Sequence, residues 1–131
     1  MKYCDTNLFV NAFSGDLKSA KILTSVVKGE MVICTSTITW DEYIWALNRK
    51  FKNYKLAIDG GHSFLAIPKI NFIELNPRIL KMAQEVIEKY NLHPKDAIHV
   101  ATALYNGITE IISDDSDFDK VKEIKRVPIS D

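Results

Sequence analysis

Five acidic side chains stand where a catalytic centre is easiest to build. Asp5 follows the short apolar run Tyr3-Cys4, and the next segment, from Leu8 to Phe13, reads as helical. Asp115 and Asp117 follow a second apolar run, Ile111-Ile112, while Glu42 and Asp96 fall in the first turns of two expected helices. A carboxylate at a strand end cannot pack in a core; it needs water, a cationic partner or a metal. In a parallel sheet with right-handed crossovers these positions share one edge, the carboxyl ends of the strands, where open α/β folds bind ligands. Carboxylates gathered there repel one another: at ~4 Å and an effective dielectric of ~20, each pair costs about 4 kcal/mol. A hard divalent cation removes that penalty, and all-oxygen ligands select Mg²⁺ or Mn²⁺.

Taken singly, each acid also has a plainer role. Thr39 and Glu42 have capping-box spacing, with Thr39 as the helix N-cap. Asp96 in a first helical turn is favoured by the helix dipole, by ~0.3–1 kcal/mol. The run Asp114-Asp115-Ser116-Asp117-Phe118-Asp119 is rich in turn formers. His99 lies one turn beyond Asp96, so a His–Asp ligand pair is one reading of that spacing.

The elements that must position these acids alternate. Met31 to Thr35, Ile70 to Leu75 and Thr109 to Ser113 are short, apolar, strand-like runs. Arg126 to Ile129 suits a final edge strand, where Pro128 is tolerated. Between them, Asp16 caps a helix over 17–28 that Gly29 ends, and Asn76-Pro77 opens another. Trp40, Tyr43, Ile44 and Leu47 fall at i, i+3, i+4 and i+7, one buried stripe. The polar, basic stretch 48–55 reads as a solvated helix end with Phe51 and Tyr54 packed inward, or as a patch that meets phosphate and stacks bases on those aromatics. Residues 56–67 read as a helix weakened by Gly60-Gly61, a flexible or partner-facing segment. The order predicts a three-layer α/β/α architecture around a mostly parallel sheet, one domain over 1–131.

Composition narrows the classes. Lys+Arg and Asp+Glu both number 17, so no global field draws nucleic acid, although a local basic rim is compatible with that balance. Only Arg49, Arg78 and Arg126 can clamp phosphate in a bidentate way. Cys4 and Cys34 lie in apolar runs at a spacing that suits neither a metal knuckle nor a redox pair, so both are expected as buried thiols. No apolar run approaches the ~20 residues of a membrane helix. The expected setting is the cytoplasm, with no membrane partner.

Four segments together resemble a known family: Tyr3-Cys4-Asp5-Thr6-Asn7, Ser36 to Glu42, Asp96 to Leu104, and Ser113 to Asp119. They look like the signature segments of PIN-domain nucleases, and the chain is similar in particular to the VapC toxins of toxin–antitoxin pairs. The resemblance implies a parallel five-stranded sheet flanked by helices, and an acidic cluster that binds Mg²⁺ or Mn²⁺ and cleaves RNA. It makes Asp5, Glu42, Asp96 and Asp115 the catalytic, metal-holding acids, with Asp117 an added ligand or a partner through water. Asp114 is one acid beyond the usual pattern and leaves the register of the last ligand open. Thr6, Asn7 and Ser113 match polar supporting positions. Lys50, Lys52 and Lys95 are candidates to hold flanking RNA phosphates. A small antitoxin and a homodimer are the implied partners, with the Trp40–Leu47 helix and the Gly60-Gly61 segment as the apolar surface offered.

Two rivals keep a place. A phosphatase of the haloacid-dehalogenase type also starts with a strand and an Asp, but it needs a second Asp as general acid where this chain has Asn7. A non-catalytic module of the same fold, holding RNA or protein, would need no hydrolytic centre.

Overall fold

Tyr3 and Cys4 are adjacent in a strand, so their side chains leave on opposite faces, and each face has its own helical cover. In the computed structural model, which describes residues 1–130, Tyr3, Cys34 and Ile111 pack with Ile79, Ala97 and Val100 on one side. Cys4, Ile33 and Ile112 pack with Phe9, Leu47 and Phe64 on the other. The result is the expected three-layer α/β/α architecture. Both thiols are buried and unpaired, one in each core.

In order, the elements are β1 (Lys2–Cys4), α1 (Thr6–Phe13), α2 (Leu17–Val27), β2 (Ile33–Ser36), α3 (Ile38–Phe51) and α4 (Tyr54–Leu65). Then come β3 (Asn71–Ile73), α5 (Pro77–Tyr90), α6 (Pro94–Tyr105), β4 (Glu110–Ile112), a 3-10 helix (Ser116–Lys120) and β5 (Lys125–Val127). The five strands run parallel in the order β3-β2-β1-β4-β5. From β1 the chain winds outward through β2 and β3, then returns to lay β4 and β5 on the other side. The switch point therefore lies between β1 and β4, where a crevice opens at the carboxyl ends of doubly wound sheets. Asp5 and Ser113 are the residues that follow these two strands.

Several local signals hold. The Asp16 side chain accepts from Ser19 N–H, and Asn76 caps α5 ahead of Pro77. Gly29, at φ +79°, takes the left-handed turn after α2. Other expectations are corrected. Thr39 is not the N-cap of α3; the helix starts at Ile38, and the buried Thr39 hydroxyl meets that of Thr35 at 2.7 Å. Glu42 is thereby released from a capping box. Within the α3 stripe Tyr43 and Leu47 are buried, but Trp40 is 44% exposed. Tyr54 is not packed inward but opens α4, more than half exposed, and Phe51 is partly exposed while its ring meets Phe13 edge-on. Gly60 and Gly61 do not loosen α4. They are buried, and a Cβ on Gly60 would stand 2.4 Å from Leu47 Cδ1, so α3 and α4 pack closely because these residues lack side chains. β2 begins at Ile33 rather than Met31, since Val32 stays half exposed, and it runs on to Ser36 because β3 pairs with it there. No helix among the described residues is long and apolar enough to cross a membrane.

Candidate metal centre

Asp5 stands at the middle of the sheet edge because β1 is the middle strand. It caps α1: Oδ1 accepts from Thr6 N–H at 2.7 Å, and Oδ2 accepts the Ser113 hydroxyl at 2.9 Å. Those bonds fix both oxygens in one orientation, with the residue 6% exposed. Burial pushes the carboxyl above its ordinary range; His99, Ser113 and Thr6 pull it back, and Glu42 adds to the rise. Ser113 serves two acids, since its hydroxyl oxygen also accepts from Asp115 N–H at 3.0 Å.

Asp96, Asp115 and Asp117 converge beside it. One carboxylate oxygen of each lies within 4.8 Å of the others. α6 supplies Asp96 from its first turn, and Asp115 caps the 3-10 helix, accepting from Asp117 N–H at 2.9 Å. Asp96 has its pKa pushed up to about 6, by burial first and then by the charges of Asp115 and Asp5, with Asp117 adding and His99 opposing. Asp114, the extra acid of this segment, is not part of the group. Asp114 turns away, its Oδ1 accepting from Ile129 N–H at 2.7 Å and Ser130 N–H at 3.1 Å, so it anchors the segment after β5.

Glu42 is buried for the most part but lies outside that triad. Its Oε1 is 2.6 Å from His99 Nε2 and accepts the Thr6 hydroxyl at 3.2 Å. Burial opposes its charge, yet the His99 bond and charge, Thr6 and Lys95 together hold the carboxyl below its usual value. His99 is not paired with Asp96 as a ligand. Its ring is fully buried, with Nε2 on Glu42 and Nδ1 2.5 Å from the Tyr3 hydroxyl. Its pKa lies above the ordinary value: burial works downward, but Glu42, Asp5 and Asp96 outweigh it. Asn7 is exposed on α1, unlike its buried neighbour Thr6.

The expected lysines spread out. Lys95 acts on Glu42 from the first turn of α6. Lys52 is the left-handed cap of α3, and Lys50 lines an open cavity with Lys18, Asp16 and Asp114 in which the charges balance. A second cavity, about 310 Å³, lies between α3 and α4 and is walled by Trp40, Trp45, Tyr54, Ile58 and Leu65. All five are more than 40% exposed, an apolar patch of the kind that marks an interaction surface.

The donor set suits a hard divalent ion. It consists of carboxylate oxygens gathered at the sheet edge, where burial and then the charges of Asp115 and Asp5 raise the pKa of Asp96. Oxygens sharing one Mg²⁺ at ~2.1 Å lie within about 4.2 Å of each other, so a small contraction would close the set.

Comparison with known proteins bears on the fold and the family. Ribonuclease VapC6 of Methanocaldococcus jannaschii is 27% identical over 143 residues, with 94% of each chain covered. A toxin–antitoxin complex from Klebsiella pneumoniae contains a chain that superposes with a TM-score of 0.71 at 23% identity, covering 95% of this chain and 96% of its own. DNA-bound VapBC from Salmonella typhimurium gives a TM-score of 0.77 at 14% identity, with 98% of each chain covered. The PIN domain model matches residues 2–124, nearly the whole sheet and every acid of the site, and on that match the chain belongs to the PIN domain family.

Proposed function

We propose that this protein is a metal-dependent ribonuclease, the toxin of a toxin–antitoxin pair, with residues 1–131 as one catalytic domain. The observation that carries this is the convergence of Asp96, Asp115 and Asp117 beside Asp5 at the switch point of the sheet. Asp5, Asp96, Asp115 and Asp117 would hold Mg²⁺ or Mn²⁺, and Glu42 completes the acidic group from α3. A cation held there would supply Lewis-acid chemistry for phosphodiester hydrolysis.

The chain's own groups set the rest. Ser113 and Thr6 N–H hold Asp5 in one orientation, so that carboxylate need not reorganise when RNA arrives. The pKa of Asp96, raised to about 6 by burial and then by the charges of Asp115 and Asp5, marks the cost that a bound cation would relieve. Lys95 stands at the rim, and Lys50 and Lys52 lie farther along α3, where flanking phosphates would be held without base readout. The substrate is RNA, and a cytoplasmic setting goes with it.

The α3–α4 cavity supports the partner part of the reading. Its wall of aromatic and aliphatic side chains suits the apolar face of an amphipathic antitoxin helix. A homodimer is part of the same reading, and a monomeric mass by light scattering across micromolar concentrations would overturn it.

The deciding experiment is cleavage of a mixed single-stranded and structured RNA pool with Mg²⁺, Mn²⁺ or EDTA, by wild type and Asp5→Asn. Cleavage that needs metal and is lost in the variant is the expected outcome. Equal cleavage by both proteins overturns the site. Metal binding with no cleavage by either favours the non-catalytic module.

A further inference from the structure

His99 is the buried titratable group that this reading leaves without a task. An imidazole taken wholly out of water is costly unless both nitrogens find partners. Here both do. The Tyr3 hydroxyl accepts from Ser36 N–H at 3.1 Å and is bonded to His99 Nδ1 at 2.5 Å. Nε2–H is directed at the carboxylate Oε1 of Glu42, 2.6 Å away. The chain of bonds starts at β2, crosses β1 and α6, and ends on a side chain of α3. The Thr6 hydroxyl from α1 meets the same oxygen, so Oε2 is left as the oxygen these bonds do not engage.

A residue that only filled space at this place would be apolar. An imidazole with both nitrogens directed does something an apolar side chain cannot: it holds a carboxylate by one chosen oxygen. The same helix also carries Asp96, three residues earlier, on its half-exposed side. α6 therefore presents one acid to the centre from its outer side and orients another through its inner side.

We propose that His99 is a positioning residue, which, with Tyr3 behind it, fixes the Glu42 carboxylate relative to the acidic centre. The inference rests on the reading of that centre as a cation site. Removal of the Nε2–H contact frees Glu42 to turn, and the site loses its arrangement before it loses its acids. Partners one shell out from a metal are worth about 10–100-fold in affinity or activity in other proteins.

Two near-equal substitutions separate positioning from packing. A Gln amide reaches the place of Nε2 and an Asn amide the place of Nδ1. His99→Gln thus keeps a donor for Glu42, whereas His99→Asn keeps a partner for Tyr3 and abandons Glu42. Mn²⁺ affinity is read without RNA, by the paramagnetic resonance of free Mn²⁺, and kcat and KM are read on a cleaved RNA. The expected result is a loss of about tenfold or more in Mn²⁺ affinity and in kcat for His99→Asn, a clear recovery of both in His99→Gln, and an unchanged KM. In a Glu42→Gln background, His99→Asn adds no further loss in Mn²⁺ affinity. Equal behaviour of the two variants, wild-type binding by His99→Asn, or additive losses in the double variant would overturn the proposal. If His99→Asn does not fold, Tyr3→Phe retains every ring and removes only the hydroxyl; weakened Mn²⁺ binding is expected, and unchanged binding overturns the proposal. Asp96→Asn serves as control. If it binds Mn²⁺ as tightly as wild type, the cation-site reading fails and this inference with it; if it does not, a wild-type-like His99→Asn overturns the inference alone.

Discussion

Asp96 shows how one residue records the state of the whole centre. Folding buries it and brings it beside Asp115, Asp5 and Asp117, so the folded chain binds its proton more tightly than the unfolded chain does. With a pKa at about 6 when folded and near 3.8 when not, its contribution is fully present below the lower value and is lost as pH rises through the upper one. His99, also raised, acts in the same direction, while Glu42, lowered, is lost only as pH falls through its own depressed range. In EDTA the melting temperature should therefore fall between about pH 4 and pH 6. Asp96→Asn should flatten that fall, and Mg²⁺ or Mn²⁺ should offset it in wild type. Scanning fluorimetry across that range checks this; a slope that Asp96→Asn leaves unchanged would place the strain elsewhere. The positions of Asp5, Asp96 and Asp115 could be read from sequence because each follows a strand or opens a helix, whereas Glu42 lies beyond the first turn of α3. The His99–Glu42 contact could not. It joins residues 57 positions apart through a buried ring, and no local pattern says which side chain a buried imidazole will meet. The capping-box spacing of Thr39 and Glu42 was misleading for a related reason: Thr39 found a better partner in Thr35 across a turn.

At the scale of elements, the α3–α4 pair depends on two missing side chains. A Cβ at Gly60 would meet Leu47, fully buried in the core, whereas at Gly61 it would stand 2.9 Å from Ile44 Cδ1, which is only partly buried and has room to give. Overpacking a close-packed core costs about 1–3 kcal/mol, and replacing Gly by Ala in a helix returns about 1 kcal/mol. Gly60→Ala should then destabilise the protein by up to about 2 kcal/mol, and Gly61→Ala by clearly less. Urea unfolding of the two variants is the measurement, and equal losses would argue against the Leu47 contact as the cause. A glycine pair within a helical pattern reads as weakness in sequence, because the partner surface that needs the space is not visible there. The strands were legible for the opposite reason: an apolar, β-branched run covered on both faces carries its own signature. Their ends were not, since pairing with the neighbouring strand sets where β2 stops.

The whole molecule separates its two kinds of surface. The acidic centre lies at the carboxyl edge of the sheet, while the cavity between α3 and α4 gathers Trp40, Trp45, Tyr54, Ile58 and Leu65. That second surface is too apolar for a protein meant to stay uncovered, and it holds both tryptophans of the chain. They are consequently built-in reporters of its occupation. If an antitoxin helix lies there, mixing with the partner should shift tryptophan emission to shorter wavelength as water leaves the indoles. Saturating RNA with Mg²⁺ replaced by Ca²⁺ should leave most of that emission unmoved. Trp45→Asp together with Leu65→Asp should weaken the partner by 100-fold or more, since central aromatic anchors carry most of an interface's energy. Neither residue touches the carboxylates in the contacts described, so metal-dependent cleavage of RNA by the double variant should stay at the wild-type level. Loss of cleavage together with partner binding would mean that the two surfaces are one. Retention of both would send the search for the partner to the other exposed apolar positions, Leu80 and Tyr105 on the α5–α6 side.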